Sequence, residues 1–419
     1  MNAAENDARP VWLVFEKFGP YHLTRARAGA RGRRLLAVEL FAHSQYYTWL
    51  NSQEKTDGVE LLPLKIRPES DLSNAGLLKQ LIGDALDATQ PEVVVFAGWS
   101  GLVAIVLLAE CARRRIPVVT MSESNEDDYP RRQVREFLKK SLVEHCAAGL
   151  VGGGSHRDYL VQLGMPKDAV FLGYDAVDNE HFASGARLAR ENQEQLHSLH
   201  NLPRQYFLIS SRLVARKNIP AVLEAYAECL RTNGGIDWDV VVIGDGPERD
   251  SLVQLTNSLG LEGRVQWRGA IPYAELPVFY GLAGALVLPS LVEQWGLVVN
   301  EAMASGIPVV VSSRCGSARE MLQGDLRQLV FDPGDRGALA AILRRLMLED
   351  GFRERMAAMC QQKVADYGPD RFAAGFSAAV ERAKAVPRRP SLVSRSVARL
   401  CGALFSANIL KLPEYDRTS

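Results

Sequence analysis

Several things are scarce or missing in this sequence, and each absence closes a route. The six cysteines, Cys111, Cys146, Cys229, Cys315, Cys360 and Cys401, stand singly in apolar segments without a CxxC pair or zinc-ligand spacing. Neither a disulfide framework nor a structural zinc site is expected, and the thiols read as reduced and buried in a cytosolic protein. No apolar run approaches the roughly twenty residues that cross a bilayer. The first apolar run, Val11 to Phe15, is interrupted by Glu16 and Lys17, too early for a signal-peptide h-region. An excess of one charge is absent as well: 49 lysines and arginines face 49 aspartates and glutamates, so no overall field favours nucleic acid. No repeat of solenoid length appears. No G-x-G-x-x-G follows the first strand, which removes a nicotinamide-dinucleotide reading.

What is present is an alternation of short β-rich runs with longer helical patterns, the grammar of parallel sheets covered by helices. The expected strands in the first half are 11–15, 35–40, 93–97, 117–121 and 149–151; in the second half they are 206–210, 240–243, 265–268, 285–289, 308–312 and 329–331. Two such series in 419 residues predict two doubly wound domains. The polar, helix-permissive stretch ending at Leu202-Pro203 suggests the junction. The expected organisation is a first domain over 1–185, a linker over 186–203, a second domain over 204–370, a helix over 371–386 that crosses back to the first domain and a basic amphipathic tail over 387–419.

The densest chemistry runs from Leu288 to Val311, L-P-S-L-V-E-Q-W-G-L-V-V-N-E-A-M-A-S-G-I-P-V-V-V. A strand delivers the chain to a loop carrying Glu293, Gly296 opens a helix, and Glu301 lies on it. The first-turn N–H groups of Gly296, Leu297 and Val298, with the helix dipole, suit an anion such as a diphosphate. The flanking carboxylates suit vicinal hydroxyls, Glu293 for a transferred sugar and Glu301 for a ribose.

This string resembles the retaining glycosyltransferase family 4, glycosyl transferases group 1. The E-x7-E element is Glu293 to Glu301, E-Q-W-G-L stands where the family has E-x-F-G-L, and A-M-A-x-G-x-P-V-V follows at Ala302 to Val310. The resemblance implies the GT-B fold, an α/β architecture of two Rossmann-like doubly wound parallel-sheet domains facing across a cleft. It makes 1–185 the acceptor-side domain and 204–370 the nucleotide-sugar-binding domain. S-S-R-L-V-A-R-K-N at Ser210 to Asn218 matches a further family pattern. It implies Arg212 and Lys217 as donor ligands that offset the charge of a departing diphosphate. The neighbouring Arg216 reads as a solvated loop charge. V-I-G-D-G-P at Val242 to Pro247 and W-R-G at Trp267 to Gly269 resemble nucleotide-side loops, so that Gly244, Gly246 and Gly269 either contact the donor or only form tight turns.

On the first domain, Gly19 in Phe18-Gly19-Pro20-Tyr21-His22 matches the family's close approach to the donor phosphate. His22 either positions the acceptor hydroxyl or is structural. Many members carry a histidine after a later strand, where this chain has Met121-Ser122-Glu123-Ser124. Glu123 or Ser122 is expected to contact donor sugar or acceptor there, unless the loop is simply solvated. S-x-R-x-Y-L recurs at Ser155 to Leu160, and Gly152-Gly153-Gly154 lacks a P-loop lysine.

The resemblance implies a retaining hexosyltransferase that takes a nucleotide diphosphate sugar as co-substrate, with no cofactor and no metal. Its acceptor would be a glycan or a lipid-linked molecule of surface polysaccharide or glycolipid assembly. A hydrolytic, epimerising or non-catalytic sugar-nucleotide binder is the alternative. A metal-dependent GT-A transferase would need an Asp-x-Asp, which Glu126-Asp127-Asp128 does not supply. Arg388, Arg389, Arg395, Arg399 and Lys411 form a basic tail with no acid between them. It either docks on its own protein or makes peripheral contact with an anionic membrane over 388–411, at the inner face of the plasma membrane.

Overall fold

A computed structural model describes residues 8–43, 59–72, 74–98, 101–128, 133–232 and 237–386, with 391, 394, 396 and 397. The chain separates into two compact units, one of residues 1–176 and 369–415, the other mainly of residues 177–368.

The first unit holds a seven-stranded sheet with the order β3-β2-β1-β4-β5-β6-β7. The strands are β1 (Val11–Phe15), β2 (Leu35–Phe41), β3 (Glu60–Ile66), β4 (Val93–Ala97), β5 (Val118–Ser122), β6 (Ala148–Val151) and β7 (Val170–Leu172). Every pairing is parallel. Central strands such as V-W-L-V-F are buried along their whole length, as expected where helices cover both faces. The edges, β3 and β7, were not anticipated. β3 reads E-L-L-P-L-K-I and is mostly accessible, with Pro63 tolerated because an edge strand can forgo a ladder donor; β7 has only three residues.

The helix Pro369–Ala385 completes this unit's core. Phe372, Phe376, Ala379, Val380 and Ala383 are buried with Val11, Leu13, Val93 and Leu150. Gly375 passes so close to β7 that a Cβ would lie 2.1 Å from the Leu172 carbonyl. Burying the two phenylalanines contributes about 1.5 to 3 kcal/mol each.

The second unit has a six-stranded parallel sheet with the order β10-β9-β8-β11-β12-β13. Its strands are β8 (Tyr206–Ser210), β9 (Asp239–Ile243), β10 (Val265–Gly269), β11 (Ala285–Leu288), β12 (Val309–Ser312) and β13 (Val330–Phe331). The chain enters it at Val177, ahead of the expected linker over 186–203. That stretch is largely helical instead, in Asn179–Glu191 and Gln193–Leu199. The first of these helices is pinned by close packing: a Cβ on Gly281 would lie 2.7 Å from Ala186 Cα, and one on Gly185 2.5 Å from Pro277 Cβ.

In both sheets the order reverses beside the first strand, between β1 and β4 and between β8 and β11. Loops leaving the carboxyl ends of strands diverge at such a switch point and open a crevice. The β1 loop carries Gly19; the β8 and β11 loops carry Arg212, Lys217 and Glu293.

The five cysteines among the described residues are buried, and none of them forms a disulfide with another. No helix among the described residues is long and apolar enough to cross a membrane. Most of the basic tail lies outside the described residues. Where it is described, Ser391 and Ser394 donate to the Glu144 carboxylate at 2.9 and 2.5 Å.

Candidate functional site

In the second unit the β8 loop is seated by glycine. Gly244 has φ +117°, and a Cβ there would lie 1.9 Å from the Ser211 carbonyl. The loops lock together through Leu213 N–H to Asp245 O and Glu248 N–H to Leu213 O, both at 3.0 Å. Gly244 thus holds the backbone that presents Arg212. Gly269 accepts the Gly244 N–H at 2.7 Å and itself has φ +70°.

A 3-10 turn, Ala215–Lys217, ends at Asn218 in the left-handed region, φ 54°, a conformation asparagine tolerates. The Asn218 amide ties this turn to the Pro289 carbonyl at 3.3 Å. The result is a direct bond from the Lys217 ammonium to Glu293 Oε2, which also accepts from Ser290 Oγ at 3.0 Å. Both side chains are largely enclosed, 13% and 14% exposed. Burial alone would raise the Glu293 pKa; Lys217, then Arg216 and Ser290, more than reverse this and hold it below the usual carboxylate value. Arg216 is therefore not the solvated charge expected: it is half-buried, acts on Glu293, and its Nε is buried without a hydrogen-bond partner.

Gly296 caps the helix Leu297–Ala304 at φ +92° with no side-chain cap. The first-turn amides of Leu297 and Val298 have no carbonyl of their own helix to bond. Beside this turn, 3.6 Å from where a Gly296 Cβ would be, sits Ser317 Oγ, wholly buried and without a hydrogen-bond partner. Nothing in the sequence singled out Ser317; only the approach of the loop after β12, through Gly316 N–H to Glu293 O at 3.1 Å, brings it here. Trp295 is buried and its indole N–H donates to Asn300 Oδ1 at 2.9 Å, which accounts for a tryptophan where the family pattern has phenylalanine. Glu301 is 1% exposed and accepts the Tyr280 hydroxyl at 2.6 Å, whose pKa is raised by burial and then by Glu301.

In the first unit Gly19 caps the helix Pro20–Gly29, and its N–H donates to His22 Nδ1 at 3.2 Å. Burial, then Arg25, pushes the His22 pKa down to about 3. The ring is neutral, Nδ1 is taken, and the proton sits on Nε2. So held in its neutral form, His22 can offer Nε2–H to a hydroxyl. Glu123 follows β5 and acts on Asp175, whose Oδ1 lies 3.7 Å from Arg25 Nη2.

A family model described as glycosyl transferases group 1 matches residues 191–363. A D-inositol 3-phosphate glycosyltransferase from Frankia alni is 35% identical over 362 residues, covering 79% of this chain and 86% of that protein. An alpha-D-kanosaminyltransferase from Streptomyces kanamyceticus is 32% identical over 54% of this chain and 57% of its own length. An O-antigen chain mannosyltransferase B from Escherichia coli is 35% identical over 36% of this chain and 38% of its own. Among solved structures, Anabaena HepE in complex with UDP and glucose superposes with a TM-score of 0.69 at 18% identity, over 88% of this chain and 98% of that one. The fold is GT-B, and the chain belongs to the glycosyl transferases group 1 family.

Proposed function

We propose that this chain transfers a sugar from a nucleotide diphosphate sugar to an acceptor hydroxyl with retention of anomeric configuration, using neither cofactor nor metal. The observation that carries the reading is the convergence, in the second unit, of Lys217, Glu293, Ser317 and the uncapped Gly296 helix terminus. The diphosphate would lie on the Leu297 and Val298 amides, with Ser317 Oγ donating to it and Arg212 meeting the charge that grows as the anomeric C–O bond breaks. Glu293, kept ionised, would accept sugar hydroxyls, and Glu301 those of the ribose. In the first unit Gly19 and His22 would serve the donor phosphate and the acceptor hydroxyl.

In this mechanism the acceptor attacks on the face the leaving group departs from, and a phosphate oxygen takes its proton. No protein nucleophile is needed, and positioning with fixed charge does the work. A hexose donor and a glycan or lipid-linked acceptor accord with the relatives' names, which include an O-antigen chain mannosyltransferase and a lipopolysaccharide core glycosyltransferase.

The test is a melting panel of UDP-, GDP- and ADP-sugars, because a ligand at 100 times its Kd adds about 2.7 kcal/mol to stability. It is followed by donor consumption with and without acceptor glycans, and by the anomeric configuration of the product. No shift with any nucleotide sugar would overturn the proposal, and an inverted product would overturn retention.

A further inference from the structure

Strand β2 reads L-L-A-V-E-L-F, and its one charged residue, Glu39, lies inside an otherwise apolar strand paired in parallel on both sides. Glu39 and the lysine it meets, Lys17, are only 6% and 7% exposed. Both carboxylate oxygens are used on consecutive residues of the β1 loop. Oε1 accepts from Lys17 Nζ at 2.7 Å, and Oε2 accepts from the Phe18 N–H at 3.1 Å. Lys17 Nζ also donates to Ala42 O at 3.3 Å, and the Phe41 N–H to Glu16 O at 2.9 Å, so the ends of β1 and β2 are stitched on both sides of this clamp.

Stability alone does not call for such a pair. Desolvating two charges offsets most of their attraction, and well-packed apolar side chains of similar volume often hold a fold as well or better. What an apolar pair cannot do is aim the chain. A carboxylate that accepts from the Lys17 ammonium and from the Phe18 amide fixes the Lys17–Phe18 peptide plane. The next residue is Gly19, whose N–H donates to His22 Nδ1 at 3.2 Å and whose carbonyl accepts the Leu23 N–H at 3.0 Å. The Phe18 ring meets Phe15 edge-on at 5.4 Å, and the His22 ring lies 4.2 Å from the same Phe15 ring. A continuous line of contacts therefore runs from Glu39 through Phe18 and Gly19 to the imidazole, with Glu39 at its buried end.

We propose that Glu39 is a positioning residue for glycosyl transfer: by clamping Lys17 and the Phe18 amide, its carboxylate sets the Gly19 turn that serves the donor phosphate and aims the His22 Nε2–H that serves the acceptor hydroxyl. This rests on the transferase reading above. Glu39 touches neither substrate and acts only through the loop. A loosened clamp lets the turn and the imidazole adopt other orientations, so the geometry needed for attack is met less often. The nucleotide is assigned to the second unit, so the loss falls on turnover and not on nucleotide binding.

The experiment uses the full chain and two paired variants, Lys17→Met with Glu39→Gln and Lys17→Met with Glu39→Leu. Both remove the two buried charges together, so neither leaves one uncompensated. Glutamine keeps an oxygen for the Phe18 N–H, whereas leucine is of similar size and offers none. Ring-nitrogen NMR near neutral pH should show His22 of the unaltered protein in one tautomer, protonated at Nε2, as the Gly19 N–H on Nδ1 requires. The glutamine pair should keep that signature, and the leucine pair should show a mixture of tautomers. Turnover is followed with whichever of UDP-glucose, GDP-mannose and ADP-glucose stabilises the chain most. It should stay within about threefold of the parent in the glutamine pair and fall about tenfold or more in the leucine pair, with affinity for the free nucleotide changed less than about twofold in both. A leucine pair with the parent's tautomer, two pairs that turn over alike, or a folded glutamine pair that loses turnover would overturn the proposal. An unaltered chain that turns over no donor would defeat the transferase reading and with it the role given to Glu39, while the His22 signals would still report the clamp.

Discussion

Replacing Glu293 with glutamine isolates the charge of the Lys217 partner while keeping its shape. At 4 Å and an effective dielectric near 20, two unit charges attract by about 4 kcal/mol. Desolvation of side chains 13% and 14% exposed offsets part of that. Removing one member leaves the other enclosed and uncompensated, so the net loss on Glu293→Gln should be about 2 to 3 kcal/mol at pH 7. The sign with pH follows from the depressed Glu293 pKa. Such a group stabilises the fold above its unfolded pKa, and the contribution is lost as pH falls through the folded one. The variant should therefore be weaker than the parent near neutrality and converge with it in acid. Urea denaturation between about pH 3 and 8 measures both. The same change releases the Lys217 ammonium, so free UDP should bind about tenfold more tightly, worth about 1.4 kcal/mol, while sugar transfer falls. Equal stability at every pH, together with unchanged UDP affinity, would refute the reasoning.

Arg212→Ala should cost about 2 to 4 kcal/mol in the transfer barrier, seen as a fall in kcat at saturating donor; unchanged kinetics would remove Arg212 from the site. Tyr280→Phe leaves the enclosed Glu301 carboxylate short of a donor and should destabilise by about 1 to 3 kcal/mol. If Glu301 holds a ribose, calorimetry will show weaker nucleotide binding with little change in turnover. Gly244→Ala places a Cβ 1.9 Å from the Ser211 carbonyl at φ +117°; it should lower stability by about 2 to 4 kcal/mol and, by moving the Arg212 loop, reduce turnover as well. A stable and fully active variant would show that the loop is not seated there.

The interior strands were legible because a strand covered on both faces is an unbroken apolar run, as in Val93 to Phe96. The edge strands were not, because burial on one side imposes no such run: β3 alternates and carries Pro63, and β7 is three residues long. The junction was misplaced for a related reason. The helix Asn179–Glu191 looks polar in one dimension, yet it buries Phe182, Ala186 and Ala189 on a single stripe. Lys217, Glu293, Gly296 and Glu301 were singled out by the motifs that resemble the family's. Their distant partners were not, since Tyr280 reaches Glu301 and Ser317 reaches the Gly296 turn only through the tertiary fold.

That missing layer changes what the charges can do. Read as a string, Lys217 is a cation waiting for phosphate and Glu293 an acid waiting for a sugar. In the fold each is the other's partner. A donor entering here would exchange contacts with a closed pair rather than fill an open field, and most of the Lys217–Glu293 attraction is already present without it. The arrangement keeps both side chains ordered, so little conformational entropy remains to be lost on binding. Its cost, on the proposed donor reading, would be affinity for the bare diphosphate, which would meet the Glu293 charge as well as Lys217. On the same reading, selectivity for a nucleotide that carries a sugar would follow from the same bond, because hydroxyls in reach of Glu293 would compensate for what the phosphate disturbs.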